Sequence, residues 1–87
     1  MTTITSYAEI TFSTAVKRAL KAQLKTIGHN LHQLRLARNE DIGTVAHAVA
    51  ITPAQLAKIE EGRLNFRLGI LFNLCDYFDA NLEDIVK

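Results

Sequence analysis

Several residue types and patterns are scarce in this 87-residue chain, and each scarcity excludes a class of protein. The single cysteine, Cys75, cannot form an intrachain disulfide; it lies in an apolar helical pattern, which indicates core packing in a reducing cytoplasm. No apolar run approaches the roughly 18–20 residues of a membrane span. The N-terminal residues 1–5 lack the basic region and apolar core of a secretory signal. We therefore expect a cytoplasmic protein with no membrane partner.

The chain also lacks the side-chain groupings of catalytic and metal sites. Its four glycines are scattered, which excludes a glycine-rich phosphate-binding loop. His29 and His32 have a spacing that can chelate a metal, but no cysteine or carboxylate cluster accompanies them, so surface or interface histidines are expected. The acidic C-terminal residues do not form a calcium-binding loop. We predict that the protein is not an enzyme and holds no metal and no cofactor.

Charge is distributed unevenly, although the net charge is only +1. The segment from Lys17 to Arg38 holds six basic residues and no acidic one, whereas Asp76 to Lys87 holds four acids and one lysine. A basic half fits a polyanionic partner, and a solvated helix face is the alternative interpretation. The sequence leaves open whether the basic residues of 17–25 contact a polyanion or only water.

Apolar residues recur at helical spacing through most of the chain and predict an all-α fold. The first stripe consists of Val16, Leu20, Leu24 and Ile27. Ser13 is a candidate N-cap before this stripe, and the pattern continues to Arg38. It predicts either one long bent helix from 14 to 38 or two helices that break near 26–28. Asn39 is expected to end the helix in the left-handed conformation.

The segment 41–62 predicts two short helices joined by a tight turn. Asp41 caps the first helix, whose inward residues are Val45, Ala46 and Val49. The second helix opens with a capping box of Thr52 and Gln55, with Pro53 at the first helical position. Its buried residues are Leu56 and Ile59, and it stops at Gly62. Two helices joined in this way expose the second one, and the commonest partner of such a helix is the DNA major groove.

The remaining segments predict two further helices and an N-terminal arm. Asn65 is expected to cap a helix whose apolar face contains Leu68, Leu71, Phe72, Leu74, Cys75 and Phe78. Asn81 is expected to cap a last short helix that contains Leu82, Ile85 and Val86. Residues 2–12 alternate in a way that predicts an extended arm or strand, which would be disordered, lie on the helices or pair with a second subunit. We divide the chain into 1–25, an arm and helical extension that is a candidate dimerisation element, and 26–87, a helix-turn-helix domain.

One ordered set of residues covers about two thirds of the chain. It comprises Ile27-Gly28, Leu31, Leu34-Arg35, Arg38-Asn39, Val45-Ala46, Ala50-Ile51-Thr52, Leu56, Ile59-Glu60, Gly62, Leu71, Leu74-Cys75, Phe78-Asp79-Ala80-Asn81-Leu82 and Ile85. In this pattern the sequence resembles the phage-repressor and Cro-like helix-turn-helix family, also called the XRE family. The resemblance implies a five-helix, lambda-repressor-like DNA-binding domain, with the residues up to about Thr26 outside it.

The resemblance also implies roles for individual residues. Arg35 and Glu60 match a structural ion pair of the family. The DNA-contacting positions of the family fall on Ile42, Thr52, Pro53, Ala54, Gln55 and Lys58 and on the loop after Gly62. We expect phosphate contacts from Arg38, Lys58, Arg63, Asn65 and Arg67.

The sequence departs from the family pattern within this interface. Ile42 replaces a glutamine that grips phosphate, and Pro53 and Ala54 replace polar residues that contact bases. Ala54 can still touch a thymine methyl group, and Lys58 can reach guanine or a phosphate. Gln55 could bind adenine only if it leaves the capping box.

The resemblance implies a transcriptional regulator, repressor-like or an antitoxin, that binds double-stranded DNA as a homodimer. The family also admits a protein partner such as a toxin. The alternative hypothesis is a protein–protein interaction module on the same fold, with weak or no sequence-specific DNA binding. Ile42, Pro53 and Ala54 favour that alternative because they make an apolar spot where DNA contacts are expected.

Overall fold

The computed structural model describes the backbone of residues 14–63 and 66–87 and the side chains of residues 18–63 and 66–87. These residues form five α-helices and no strand: α1 (Thr14–Ala37), α2 (Ile42–Ala48), α3 (Pro53–Glu60), α4 (Leu68–Tyr77) and α5 (Leu82–Ile85). The predicted all-α, five-helix fold is confirmed. The arm predicted over residues 2–12 and the Ser13 cap lie outside the described residues. None of the described helices has the length and apolarity that crossing a membrane requires.

The first helix is one uninterrupted element of 24 residues, which decides between the two alternatives for this segment. Gly28 lies in its middle, where a Cβ atom would stand 2.2 Å from the carbonyl oxygen of Ile59 and 2.7 Å from that of Glu60. The glycine therefore permits α1 to cross the C-terminal end of α3 at backbone contact. Just beyond the helix, Asn39 adopts a φ of 55°, the predicted left-handed conformation.

The helix-turn-helix unit, α2 and α3, shows the predicted local chemistry. The Asp41 carboxylate accepts a hydrogen bond of 2.7 Å from the backbone N–H of Thr44 and caps α2. The Thr52–Gln55 capping box opens α3, with Pro53 as its first residue. Gly62 follows α3 with a φ of 72°, and a Cβ atom there would stand 2.7 Å from Cα of Lys25. The chain after α3 thus lies against α1.

A single cluster of buried residues forms the core between the helices. It contains Ile27, Leu31, Val45, Ala46, Val49, Leu56, Ile59, Leu71, Leu74, Cys75, Phe78 and Ile85. Cys75 is one of its members, as predicted, and burial raises the pKa of its thiol. The inward residues predicted for α2 and α3 all belong to it.

Two predictions for α4 are wrong. The N-cap is Arg67 rather than Asn65, because Phe66 packs against the core before the helix begins. The apolar face is also narrower than predicted: the side chains of Leu68 and Phe72 are 60% and 49% exposed. Phe72 lies roughly 100° around the helix from buried Leu71, so it points past the core.

Candidate nucleic-acid interface

The exposed side of α3 brings together five of the predicted DNA-contacting residues. Leu56 and Ile59 are each 1% exposed and anchor the inner side of the helix in the core. The outer side presents Thr52, Pro53, Ala54, Gln55 and Lys58, all exposed. The turn before the helix passes through Ala50, whose φ of 61° places it in the left-handed region. The buried face thus fixes the helix while the other face stays open to a partner.

The capping box restricts what Gln55 can bind. The side-chain oxygen of Gln55 accepts a hydrogen bond of 2.8 Å from the Thr52 backbone N–H, and the backbone N–H of Gln55 donates to the Thr52 hydroxyl at 3.0 Å. A bidentate contact with adenine needs both the oxygen and the NH₂ group of the amide. While the box is intact, one lone pair of the oxygen is already engaged, so the NH₂ group is the part of the Gln55 side chain that stays fully available. It suits an acceptor such as N7 of a purine or a phosphate oxygen.

Cations continue from α3 into the loop that follows. Lys58 is exposed, and the backbone N–H of Arg63 donates to the Lys58 carbonyl at 2.9 Å. The Arg63 guanidinium contacts Glu61 at 3.0 Å, with the two side chains 69% and 55% exposed. Such a surface pair is weak, so Arg63 can exchange the carboxylate for a phosphate. Arg67 is exposed at the start of α4, and Asn65 lies outside the described residues.

Arg38 has different surroundings from the cations near α3. Its guanidinium donates to Glu40 at 3.1 Å and to the Tyr77 carbonyl at 3.1 Å, and it lies over the rings of Tyr77 and Phe78. The Tyr77 hydroxyl donates to Glu40, and this hydrogen bond raises the pKa of Tyr77. Arg38 thereby ties the end of α1 to the end of α4. A phosphate contact from Arg38 stays a prediction, and it would have to compete with these partners.

A charged network fixes the C-terminal end of α3 to α1. Glu60, with a side chain only 7% exposed, contacts Arg35 Nε at 2.8 Å and His32 Nδ1 at 2.9 Å. Arg35 also donates to the Glu40 carbonyl at 3.0 Å, which holds the segment before α2. Burial raises the pKa of Glu60, but the hydrogen bonds from Arg35 and His32 outweigh burial, so its pKa lies below the ordinary value. The network orients the exposed helix without belonging to its outer face.

The sequence did not indicate the role of His32. It lies one turn before Arg35, on the side of α1 where Gly28 meets α3. Because residues three apart on a helix are neighbours, the expected pairing of Arg35 with Glu60 was the one sequence signal that also pointed to His32. If His29 and His32 together bound a metal ion, that ion would have to compete with Glu60 for the imidazole ring of His32. Within residues 14–63 and 66–87, no three His, Cys, Asp or Glu side chains are grouped as metal ligands.

The start of α2 differs in character from the start of α3. Half-buried Ile42 lines a shallow depression together with His32, Ala57, Glu60 and Glu61. The lining combines apolar surface with the exposed carboxylate of Glu61 and contains no lysine or arginine, so a phosphate finds no strong cationic partner there. The exposed cations and hydrogen-bond donors of this surface therefore lie in the first turn of α3, at Lys58 and in the loop beyond.

Comparisons with known proteins find a family model and solved structures that are similar to this chain. A family model described as a Cro/C1-type helix-turn-helix DNA-binding domain matches residues 30–87. Crystal structures of the clp gene regulator ClgR from Corynebacterium glutamicum share the fold at 22% identity; one covers 72% of this chain and 67% of its own, with a TM-score of 0.69. The second covers 74% of this chain and 82% of its own, with a TM-score of 0.70.

The restriction-modification controller protein C.AhdI from Aeromonas hydrophila has the same fold at 23% identity and a TM-score of 0.68. The alignment covers 74% of this chain and 97% of that chain. A search of curated proteins found no match. At these identities the structural likenesses establish the fold alone.

Proposed function

The chain belongs to the Cro/C1-type helix-turn-helix DNA-binding domain family, and we propose that it is a repressor-like regulator that inserts the start of α3 into the major groove of duplex DNA. The observation that carries this proposal is the two-sided character of α3. Leu56 and Ile59 lock its inner side, while its first turn and Lys58 stay exposed. Phosphate contacts from Arg63, Asn65 and Arg67 would then fix its register on the duplex.

The same proposal includes the partners and the compartment. The protein binds its operator as a homodimer, since helix-turn-helix proteins commonly contact two half-sites related by a two-fold axis. Its partner DNA and its lone thiol fit the cytoplasm. If the protein is an antitoxin that also binds a toxin, it would bind DNA through this same surface.

One observation favours a second candidate function, a protein-interaction module without sequence-specific DNA binding. Ile42, Pro53 and Ala54 give the expected interface few polar groups that can contact bases. The exposed carboxylate of Glu61 next to Ile42 would also repel a phosphate at that position. Because the two functions share a fold, only a measurement of binding separates them.

The deciding experiment is a selection from random duplex DNA, followed by titration of the winning sequence at several salt concentrations. A regulator enriches a palindromic site and binds it with a steep salt dependence, because phosphate contacts release counterions. Absence of enrichment, with weak binding that vanishes near physiological salt, would support the protein-interaction module and overturn the proposed function.

Lys58→Ala tests the contact within the selected site. If Lys58 binds a base, the substitution weakens binding by about 1–3 kcal/mol and relaxes the preference at one base pair. The matched control is Lys87→Ala, which removes a cation that is 75% exposed and lies beyond α5. A uniform loss over all sequences would instead assign Lys58 to a phosphate.

A further inference from the structure

The first half of α1 carries several exposed cations. Arg18, Lys21 and Lys25 are exposed, and none of them forms an ion pair with a described residue. All side chains from residue 18 to residue 22 are exposed. This part of the helix therefore projects beyond the core.

The three cations share one side of α1, and the contacts of α1 identify that side. At 100° per residue, Arg18, Lys21 and Lys25 fall within an arc of roughly 80° that also contains Gly28 and His32. Gly28 abuts the last carbonyl groups of α3, and His32 contacts Glu60. The basic side of the projecting helix is thus the continuation of the side that packs against α3.

Lys25 joins this basic side to the interface described above. Its Cα would stand 2.7 Å and its Cγ 2.8 Å from a Cβ atom on Gly62, so it lies directly against the chain after α3. Arg63 follows Gly62, and its backbone N–H donates a hydrogen bond to the Lys58 carbonyl. The cations of α1 therefore extend the row that Lys58 and Arg63 begin.

We propose that Arg18, Lys21 and Lys25, which we call the α1 basic ridge, bind the sugar–phosphate backbone of duplex DNA that flanks the site contacted by α3. The inference rests on the proposed function and extends the interface to a second element. Arg18 and Lys25 are about 10 Å apart along the helix axis, a length that spans about three phosphates of one strand. Two copies of the ridge would repel each other, which argues against self-association through it.

The test neutralises the ridge and measures DNA binding against salt. The triple variant Arg18→Gln, Lys21→Gln, Lys25→Gln is compared with the parent chain on a selected duplex that carries about one turn of flanking DNA on each side. Losing three phosphate contacts lowers the logarithmic salt slope by about 2.7. Over a fourfold rise in salt, the parent should then lose about 40-fold more affinity than the triple variant. The selected sequence itself should stay the same, because phosphate contacts carry no base preference.

Two controls make the result specific. The charge-preserving variant Arg18→Lys, Lys21→Arg, Lys25→Arg should keep the parent slope, and thermal unfolding by circular dichroism checks that each variant is folded. On a duplex trimmed to the selected site, the parent and the triple variant should have similar slopes.

Equal slopes on the long duplex would overturn the α1 basic ridge as a DNA contact and leave the proposed function intact. A charge-preserving variant that loses the slope would overturn it too, since charge would not be the cause. A ridge whose neutralisation weakens binding to polyglutamate but not to DNA would serve an acidic protein instead. A parent chain that does not bind duplex DNA would overturn the proposed function along with the inference.

Discussion

At the residue scale, Glu60 links the C-terminal end of the exposed helix α3 to α1. It receives hydrogen bonds from His32 and from both Nε and a terminal nitrogen of Arg35, the latter two at 2.8 and 3.0 Å. Arg35 itself is only 12% exposed. The Glu60 carboxylate and the Arg35 guanidinium therefore satisfy each other, and removal of the carboxylate would leave the buried guanidinium without a counter-charge.

Glu60→Gln should therefore lower the free energy of unfolding by about 3 kcal/mol, because it leaves the buried charge of Arg35 without a counter-charge. Urea denaturation measures this difference. The matched control is Glu61→Gln at the next position, whose contact with Arg63 is on the surface and should be worth less than about 0.5 kcal/mol. Similar losses in both variants would contradict the structural role given to Glu60.

The same network predicts how stability depends on pH. The pKa of Glu60 in the folded chain lies below its ordinary value of 4.5, and hydrogen bonds from Thr44 lower the pKa of Asp41 in the same direction. Stability from both groups is present above their unfolded-state pKa values and is lost as the pH falls through the folded-state values. Urea midpoints between about pH 7 and pH 3 should decline at the acid end, less steeply in Glu60→Gln. If the midpoints of Glu60→Gln decline with pH as steeply as those of the parent chain, Glu60 is excluded as a cause of the decline.

At the element scale, α1 and α3 meet where one carries a glycine. In most helices Gly→Ala stabilises by about 1 kcal/mol. At Gly28 the added methyl group would stand 2.2 Å from a backbone oxygen, so α3 would have to move. We expect Gly28→Ala to destabilise the fold by about 1–3 kcal/mol, measured by urea denaturation.

Gly43→Ala in α2 is the control for this prediction. Its Cβ atom would meet only an Asp41 oxygen at 3.5 Å, an ordinary contact. It should leave stability unchanged or raise it by up to about 1 kcal/mol. A loss of stability in Gly28→Ala without a loss in Gly43→Ala would support the close crossing of α1 and α3, and similar losses in both would contradict it.

The start of α3 combines a cap with a candidate DNA contact, and two substitutions of Gln55 separate them. Gln55→Glu keeps a carboxyl oxygen for the capping box and should preserve the melting temperature, while it removes the NH₂ donors and weakens DNA binding. Gln55→Ala removes both, so stability also falls, by about 1 kcal/mol. Thermal unfolding and DNA titration of both variants check this. Unaltered DNA binding in Gln55→Glu would exclude Gln55 from the contact.

Local chemistry explains which elements were predictable from the sequence. The Asp41 cap, the Thr52–Gln55 box and the left-handed Asn39 each depend on neighbours within a few residues, and all three are present. The Asn65 cap was wrong because it depends on where Phe66 packs, which is a tertiary contact. The tight contact at Gly28 is also a tertiary contact, because it depends on the approach of α3, which no local sequence pattern predicts.

At the scale of the whole molecule, basic and acidic segments lie on opposite sides of α1, because Gln23 and Asn30, which hold the C-terminal segment, fall roughly 160–180° around the helix from the α1 basic ridge. The basic ridge of α1 projects from one part of the fold, and the acidic C-terminal segment is fastened to the middle of α1. Asn30 donates to the carbonyl groups of Ile85 and Lys87 at 2.6 and 3.2 Å, and Gln23 donates to that of Val86 at 2.8 Å. The net charge of +1 therefore understates the field that a polyanion would meet near α1 and α3.

The whole molecule also offers a described surface for the proposed homodimer. Leu68 and Phe72 lie one turn apart on α4 and are the two most exposed large apolar side chains of that helix. If α4 pairs with its copy, Phe72→Glu should yield a monomer by light scattering, because a carboxylate would be buried in the contact. The concentration dependence of the melting temperature should disappear with it, since only a dimer is stabilised by its own concentration.

Deletion of residues 1–12 tests the competing prediction that the N-terminal arm forms the dimer. The deleted chain stays dimeric if α4 provides the contact and becomes monomeric if the arm does. Lys87→Glu, which introduces the same carboxylate at an exposed position beyond α5, should leave the mass unchanged and controls for added negative charge. A parent chain that is monomeric at all concentrations, yet binds a palindrome with a steep salt dependence, would mean that the two copies meet only on the DNA. Phe72→Glu would then reduce the cooperativity of binding between half-sites rather than the mass in solution.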